Sequence, residues 1–156
     1  MFNIVFYNPQ IPNNTGAIGR VCVNTGAKLH LIKPLGFDID EKAVRRAGLD
    51  YWKHLNPTVW DDWESFANSN KGLGKFYFAT TKTDKPYFDT SFAENDFLIF
   101  GSETQGLPEV LLAQNKEACI TIPMTKEGRS LNLSIAASIV LYEAIKQNFT
   151  DFKSLM

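Results

Sequence analysis

The sequence lacks the patterns of several large protein classes. It has only two cysteines, Cys22 and Cys119, without a CxxC pair or a Cys/His cluster, which argues against a disulfide framework or a zinc site. Both are interpreted as buried free thiols. No apolar run is long enough to span a bilayer, and the N-terminal "MFNIVFYNPQ" lacks the basic residues of a signal peptide. We therefore expect a cytosolic protein that binds neither a membrane nor a metal.

Runs of like charge and low-complexity tracts are also missing. Sixteen basic and 17 acidic residues give a net charge of −1, which argues against nonspecific coating of nucleic acid but leaves room for a local basic patch. Hydrophobic residues make up 44% of the 156 positions, as in ordinary folded proteins. Because no linker or internal repeat is visible, we expect one domain over residues 1–156.

Neither GxGxxG nor GxxxxGK[ST] occurs, so a Rossmann dinucleotide site and a P-loop are not supported. Instead, short apolar runs alternate with helical patterns, which predicts a mainly parallel α/β sheet with helices on both faces. The predicted strands are "NIVFY" (3–7), "KLHLI" (28–32), "KFYFAT" (75–80), "DFLIF" (96–100) and "ACITI" (118–122). The predicted helices are a short stripe ending near Gly26, then 40–47, 61–69, 108–114 and about 131–147.

Ligands of such sheets bind beyond the carboxyl ends of the strands, which directs attention to the loops "ATTKTD", "GSETQGLP" and "PMTKEGRS". Gly101 and Gly106 permit close backbone approach. Glu103 is either a solvated carboxylate in a turn or a functional group. Ser130 is either the cap of the last helix or a functional hydroxyl. Asn132 is harder to explain as structure alone, because it interrupts an almost wholly apolar segment.

The segment "NNTGAIGR" places Asn14 and Arg20 around a helix start. Two glycines in that short helix, Gly16 and Gly19, each cost about 1 kcal/mol relative to alanine. A closely approaching ligand or neighbouring element would justify them, and a permissive surface turn is the alternative. Arg20 by itself is typical of a solvated surface residue.

Taken in order, "NNTGAIGR", "FGSETQG" and "IPM" followed by "RSLNLSIAASIVLYE" resemble the three motifs of the SPOUT class of S-adenosylmethionine-dependent RNA methyltransferases. The similarity extends from "NIVFYNPQIPNNTG" to "LYEAIKQ". The small size and the segment "AVRRAGLDYW" make the chain most similar to the TrmL-like subgroup, the minimal tRNA wobble-position ribose 2′-O-methyltransferases.

The resemblance implies a C-terminal trefoil knot, an exception to the general absence of knots. It also implies that S-adenosylmethionine lies in the knot, held largely by backbone groups, and leaves as S-adenosylhomocysteine. Gly101 would give this donor room, and Ile122 and Leu131 would flank its adenine. The matching donor-binding positions are Ala79, Thr80, Gly101, Glu103, Ile122, Met124, Ser130 and Leu131.

For catalysis the resemblance implies that Arg20 grips an RNA phosphate and polarises the 2′-hydroxyl, because a guanidinium stays protonated. Asn14, Glu103, Ser130 and Asn132 would position Arg20 or the substrate, and no general base is assigned. The implied substrate is the ribose of nucleotide 34, a cytidine or modified uridine, of leucine tRNAs. Ribosomal RNA is the alternative substrate, and a non-catalytic RNA- or nucleotide-binding module is the alternative function.

The last helix carries two apolar stripes. One runs through Leu133, Ala137, Val140 and Ala144, and the other through Ile135, Ile139 and Tyr142. A helix that is apolar on two sides is either central within its own chain or buried against a partner. The resemblance implies the partner, a second copy of the chain in a homodimer.

The basic segment Lys42, Arg45 and Arg46 is predicted to contact tRNA, together with Arg20 and Tyr142. The alternative for the basic segment is an ordinary solvated face. If it contacts RNA, phosphate binding there should make the affinity depend steeply on salt.

Overall fold

Six parallel strands form the centre of the protein. The computed structural model describes residues 1–40, 42 and 51–156. The strand order is β3-β2-β1-β5-β4-β6, and each pair of neighbours is parallel. This confirms the predicted mainly parallel α/β sheet. The strands are β1 (Asn3–Tyr7), β2 (Lys28–Ile32), β3 (Thr58–Trp60), β4 (Phe76–Ala79), β5 (Phe97–Phe100) and β6 (Cys119–Ile120).

Helices cover both faces of the sheet. They are α1 (Pro12–Thr25), α2 (Trp52–Leu55), α3 (Trp63–Asn70), α4 (Glu109–Gln114), α5 (Leu133–Gln147) and α6 (Phe149–Lys153), with short 3₁₀ turns at Tyr87–Asp89 and Lys116–Ala118. The helix predicted at 40–47 lies outside the described residues. Within the part of the chain that the structure describes, no helix combines the length and the apolar character needed to cross a membrane.

The buried side chains form two hydrophobic clusters, one on each face. Successive residues of a strand point to opposite faces, so Ile4 and Phe6 of β1 enter one cluster and Val5 enters the other. The first cluster includes residues of α1 and α5, and the second includes residues of α3 and α4. Cys22 and Cys119 are buried and free, as predicted, and burial raises the pKa of Cys22 to about 12.

Two strands differ from the sequence prediction. β3 was not predicted, because it is a three-residue edge strand in which Thr58 and Val59 are exposed. β6 is shorter than the predicted 118–122. The 3₁₀ turn before it ends at Ala118, and beyond it Thr121 makes only an isolated bridge to Pro86. A short edge strand carries little hydrophobic periodicity from which it could be recognised.

Helix α5 begins at Leu133, two residues later than predicted, and the suggestion that Ser130 caps it is wrong. The cap is Asn132, whose side-chain oxygen accepts hydrogen bonds from the backbone N–H groups of Ser134 (3.0 Å) and Ile135 (3.3 Å). Asparagine is among the best residues for this position, because its oxygen satisfies donors that have no partner within the helix. The polar residues in the first turn of an apolar helix are therefore explained.

Helix α1 is longer than the predicted stripe and includes the costly glycines. A Cβ at Gly19 would lie 2.7 Å from Cδ2 of Leu55, so this glycine allows α2 to approach α1. Of the two explanations considered for Gly19, the neighbouring element is correct. The helix ends at Thr25 and is capped by Gly26, which adopts a left-handed conformation with φ of 70°.

Candidate functional site

A cavity of about 380 Å³ lies beyond the carboxyl ends of β4, β5 and β6. The strand order produces it, because β4 lies between β5 and β6 and the loops that follow the three strands meet at one edge. The N-terminal end of α5 closes the cavity through Leu133 and Ala136. This volume lies within the ~300–1,000 Å³ range of small-molecule sites.

All of the predicted donor-binding residues line this cavity: Ala79, Thr80, Gly101, Glu103, Ile122, Met124, Ser130 and Leu131. Their role as donor contacts stays a prediction. Sequence reasoning did not assign a donor-binding role to the other lining residues, although most belong to the same loops. These are Thr81, Lys82, Phe100, Ser102, Thr104, Gln105, Gly106, Leu107, Leu112, Thr121, Arg129, Leu133 and Ala136.

Gly101 is required by the loop itself. A Cβ at this position would lie 2.0 Å from the carbonyl carbon of Gly106 and 2.3 Å from the backbone nitrogen of Leu107. The loop after β5 therefore folds back over Gly101, and Gly106, with φ of 66°, makes the turn possible. The backbone of the same loop is therefore a sufficient reason for a glycine here, and the expectation that Gly101 also leaves space for a ligand stays a prediction.

Glu103 accepts three hydrogen bonds from the start of α1 and the residues before it. Its Oε2 accepts from the backbone N–H of Gln10 (2.8 Å), and its Oε1 accepts from the backbone N–H of Ile11 (3.0 Å) and from Nδ2 of Asn14 (3.1 Å). Partial burial by itself raises the pKa of Glu103, but the hydrogen bonds from Asn14, Gln10 and Ile11 outweigh it. The pKa of Glu103 is therefore lowered, and the carboxylate is charged at neutral pH.

Asn14 extends this network to the last helix. Its Oδ1 accepts a hydrogen bond from Nδ2 of Asn132 at 2.8 Å, and Asn14 itself is buried. Asn132 in turn caps α5, so hydrogen bonds connect Glu103, Asn14 and Asn132 in sequence. The network ties the loop after β5 to the N-terminal ends of α1 and α5. The structure thus brings three of the predicted catalytic residues together as a connected group.

The predicted RNA contacts that the structure describes lie outside this network. Arg20 is exposed on α1, where its guanidinium carbon lies 5.3 Å from the centre of the Tyr51 ring, and it does not line the cavity of its own chain. Tyr142 is exposed on α5, and Lys42 is exposed, with its backbone N–H donating to Asp40. Arg45 and Arg46 lie outside the described residues.

The hydrogen-bonded network of this site can position reactants, but its carboxylate is not free to act as a base. The Glu103 carboxylate is occupied by three donors, and the side chains of Asn14 and Asn132 bind one another. Among the described residues, no group of three or more His, Cys, Asp or Glu side chains could hold a metal ion. The geometry suits a reaction that needs reactants aligned between well-anchored loops.

Comparison with known proteins identifies the family. The model of the "SpoU rRNA Methylase family" matches residues 1–142. The chain belongs to the SpoU methylase family. The tRNA (cytidine(34)-2'-O)-methyltransferase of Methylovorus glucosotrophus is 45% identical over 149 residues, which cover 95% of this chain and 96% of the relative. The corresponding protein of Yersinia pestis is 46% identical over 155 residues, covering 94% of each chain.

Two solved structures of similar proteins share the fold. A protein from a structural study of the 2-OH methylation of C/U34 on tRNA has a TM-score of 0.89 and 36% identity, and the match covers 96% of this chain and 97% of that one. An AdoMet-bound rRNA methyltransferase from Sinorhizobium meliloti has a TM-score of 0.80 and 26% identity, and the match covers 93% of this chain and 56% of that one. The likeness to both supports the SPOUT-like α/β fold predicted from the sequence.

Proposed function

We propose that this SpoU-family protein transfers the methyl group of S-adenosylmethionine to the ribose 2′-hydroxyl of nucleotide 34 of a tRNA. The observation that carries the proposal is the cavity that collects all eight predicted donor-binding residues beside the Glu103–Asn14–Asn132 network. Relatives named for this reaction match the chain over nearly their whole length, whereas the match covers only 56% of the S. meliloti rRNA methyltransferase. This difference favours tRNA over the alternative substrate, ribosomal RNA.

The cavity fits the methyl donor in size and in lining. Ile122, Leu131 and Leu133 provide apolar contacts suited to an adenine ring, and Thr80, Ser102 and Thr121 add hydroxyl groups. The donor supplies an already activated methyl group on a sulfonium. The protein therefore has to align the ribose oxygen with that methyl group and ease the loss of the hydroxyl proton.

The network supplies the alignment. Because Glu103 stays ionised and accepts three hydrogen bonds, we assign it the positioning of the loop after β5 and not proton abstraction. Asn14 and Asn132 hold the start of α5, and Ser130 lines the cavity two residues before that cap. Arg20 does not line the cavity of its own chain, so its proposed role of binding the phosphate and polarising the 2′-hydroxyl requires the Arg20 of a second copy in the proposed homodimer.

Labelled methyl transfer tests the proposed function. Incubation of total tRNA with the protein and isotopically labelled S-adenosylmethionine should yield one labelled 2′-O-methylnucleoside, which nucleoside mass spectrometry should place at position 34, with leucine tRNAs enriched. Arg20→Ala should slow this transfer by about 10- to 100-fold while S-adenosylhomocysteine still binds, since a charged hydrogen bond contributes about 1.5–3 kcal/mol. Stoichiometric donor binding without transfer to any tRNA would instead indicate a non-catalytic binding module.

A homodimer through α5 is part of the proposal. Leu133, Ala137 and Val140 of the inner stripe are buried within the chain, whereas Ile135 and Tyr142 of the other stripe are each 53% exposed. This exposure favours burial against a partner over a helix that is central within its own chain. Burying apolar surface contributes about 25 cal/mol per Å², which favours covering this stripe with a second copy.

The dimer can be tested by placing a charge in the exposed stripe. Ile135→Glu should reduce the mass measured by light scattering from twice 17.6 kDa to 17.6 kDa, because a buried carboxylate at the interface would lack a partner. Val110→Glu is the matched control, since Val110 is 68% exposed on α4 and outside the stripe. A monomeric parent protein, or a dimer that persists in Ile135→Glu, would contradict this interface.

We also propose the trefoil knot and a single domain. The end of α5 is held by the segment between β4 and β5: the Gln147 side chain accepts a hydrogen bond from the backbone N–H of Phe92 (2.9 Å) and donates one to the carbonyl of Thr90 (2.9 Å). Asn148 donates to the carbonyl of Phe92. These contacts hold the end of α5 against the segment between β4 and β5, which supports the proposed threading of the last helix. The two hydrophobic clusters share one sheet, which supports one domain.

A further inference from the structure

Among the described residues, three charged side chains line the cavity, and two of them are already bound. Glu103 accepts its three hydrogen bonds, and the Lys82 ammonium lies 3.0 Å from a carboxylate oxygen of Glu109. The third is Arg129. Within the residues that the structure describes, its guanidinium makes no hydrogen bond or ion pair, and the residue is exposed at the mouth of the cavity. An unpaired guanidinium at this place is available to an incoming anion.

The loop that carries Arg129 contains a turn and is anchored at its C-terminal end. Before it, the backbone N–H of Gly128 donates to the carbonyl of Thr125 at 3.0 Å and closes a turn. After it, Asn132 caps α5 and binds Asn14. Arg129 is therefore presented from a tethered segment, one residue before the cavity-lining Ser130, and an anion bound to it would be held close to that hydroxyl.

We infer that Arg129 is an RNA-positioning residue that binds a phosphodiester next to the target ribose. The inference rests on the proposed function and names a contact that the sequence resemblance did not assign. A planar guanidinium can bind two phosphate oxygens at once, which fixes orientation as well as distance. RNA must enter from the exposed mouth of the cavity, where Arg129 lies, and it brings one negative charge for each nucleotide.

The carboxylate of the methyl donor is the competing anion. A cation that served the donor would be expected among the enclosed lining groups, whereas Arg129 lies exposed on the mouth that faces the solvent. Its neighbour Lys126 provides a matched control, because it is exposed on the same loop and does not line the cavity.

The test compares Arg129→Ala, Arg129→Lys and Lys126→Ala with the parent protein. We expect Arg129→Ala to raise the KM for tRNA about tenfold and to leave the calorimetric affinity for S-adenosylhomocysteine within about twofold. In filter binding, the slope of log affinity against log salt should become shallower by about 0.7, the value for one single-strand phosphate contact. Arg129→Lys should restore only part of the affinity, and Lys126→Ala should behave like the parent.

Two outcomes would overturn the inference, and a third would contradict only the proposed function. Loss of S-adenosylhomocysteine affinity in Arg129→Ala would make this residue a donor contact. Unchanged tRNA affinity and KM would make it a surface residue, while turnover by the parent would leave the proposed function standing. A parent protein that binds tRNA without methylating it would contradict the proposed function alone, and the filter-binding series would still decide the role of Arg129.

Discussion

Glu103→Ala is expected to lower the free energy of unfolding by about 3 kcal/mol and to reduce kcat/KM for methyl transfer about 100-fold. The substitution removes the acceptor of three hydrogen bonds, from the backbone N–H groups of Gln10 and Ile11 and from Asn14. A hydrogen bond to a charged group contributes about 1.5–3 kcal/mol, and water replaces part of that at the two exposed backbone groups. The loss of activity follows because Asn14 also holds Asn132, which caps α5.

The matched control for this prediction is Glu109→Ala. Glu109 is also a carboxylate near the cavity, but its ion pair with Lys82 is exposed, and such pairs contribute about 0–1 kcal/mol. Urea denaturation and steady-state kinetics on both variants give the comparison. Equal stability of the two variants would show that the network does not hold the loops. A large loss of activity in Glu103→Ala without loss of stability would instead place Glu103 in direct contact with the reacting groups.

The strands and the α/β class of the fold could be predicted because each predicted strand is a local run of apolar residues. Four of the five predicted runs coincide with β1, β2, β4 and β5 to within one residue at each end, and the fifth contains β6. The order of the strands could not be predicted from the runs themselves. No periodicity indicates that β1 lies between β2 and β5 or that β6 lies on the outer edge of β4. That order, however, is what brings three loops to one cavity.

The site was predicted from motifs, and its internal contacts were not. Glu103 and Asn14 are 89 residues apart, and Asn14 and Asn132 are 118 residues apart, so spacing could not indicate that they bind one another. The resemblance supplied their identities, and the structure supplied the connection. For Gly101, the motif suggested a contact with the ligand, whereas the structure shows a contact within the loop. A ligand-centred explanation was attractive, but the atoms that exclude a side chain there belong to Gly106 and Leu107.

A buried histidine is expected to make the protein sensitive to mild acid. His30 is 6% exposed in β2, and its Nδ1 accepts a hydrogen bond from Nε1–H of Trp60 (3.1 Å). Since the indole can only donate, Nδ1 has to be unprotonated, and the proton lies on Nε2, which donates to Oδ1 of Asn3 (3.2 Å). Asn3 is held in this orientation because its Nδ2 donates to the carbonyl of Asn95. The site therefore accommodates the neutral ring and has no place for a second proton.

The pKa of His30 is lowered from 6.5 to about 4, first by burial and second by the positive charge of Lys28. The unfolded chain binds a proton below pH 6.5, and the folded protein does not until about pH 4, so stability falls as the pH falls between these values. From this residue alone, we expect the free energy of unfolding to be about 2 kcal/mol lower at pH 5 than at pH 7.5. At pH 4 it should be roughly 3 kcal/mol lower than at pH 7.5. Because the pKa of Glu103 is lowered, its carboxylate contributes its full stability above the ordinary value of 4.5. That contribution is lost only as the pH falls below 4.5.

Urea denaturation at pH 7.5 and pH 5, at one protein concentration, measures this loss of unfolding free energy. Because pH 5 lies above the ordinary pKa of the carboxylates, the loss due to His30 is separated from theirs. His30→Gln keeps a side chain that can accept from Trp60 and donate to Asn3 but cannot be protonated, so its stability should change by less than about 0.5 kcal/mol over the same interval. Lys28→Gln should show an intermediate loss, because it removes the smaller of the two causes and leaves the burial of His30 unchanged. If His30→Gln loses as much stability as the parent protein between pH 7.5 and pH 5, the acid sensitivity arises from other groups and His30 accepts its proton in the folded state.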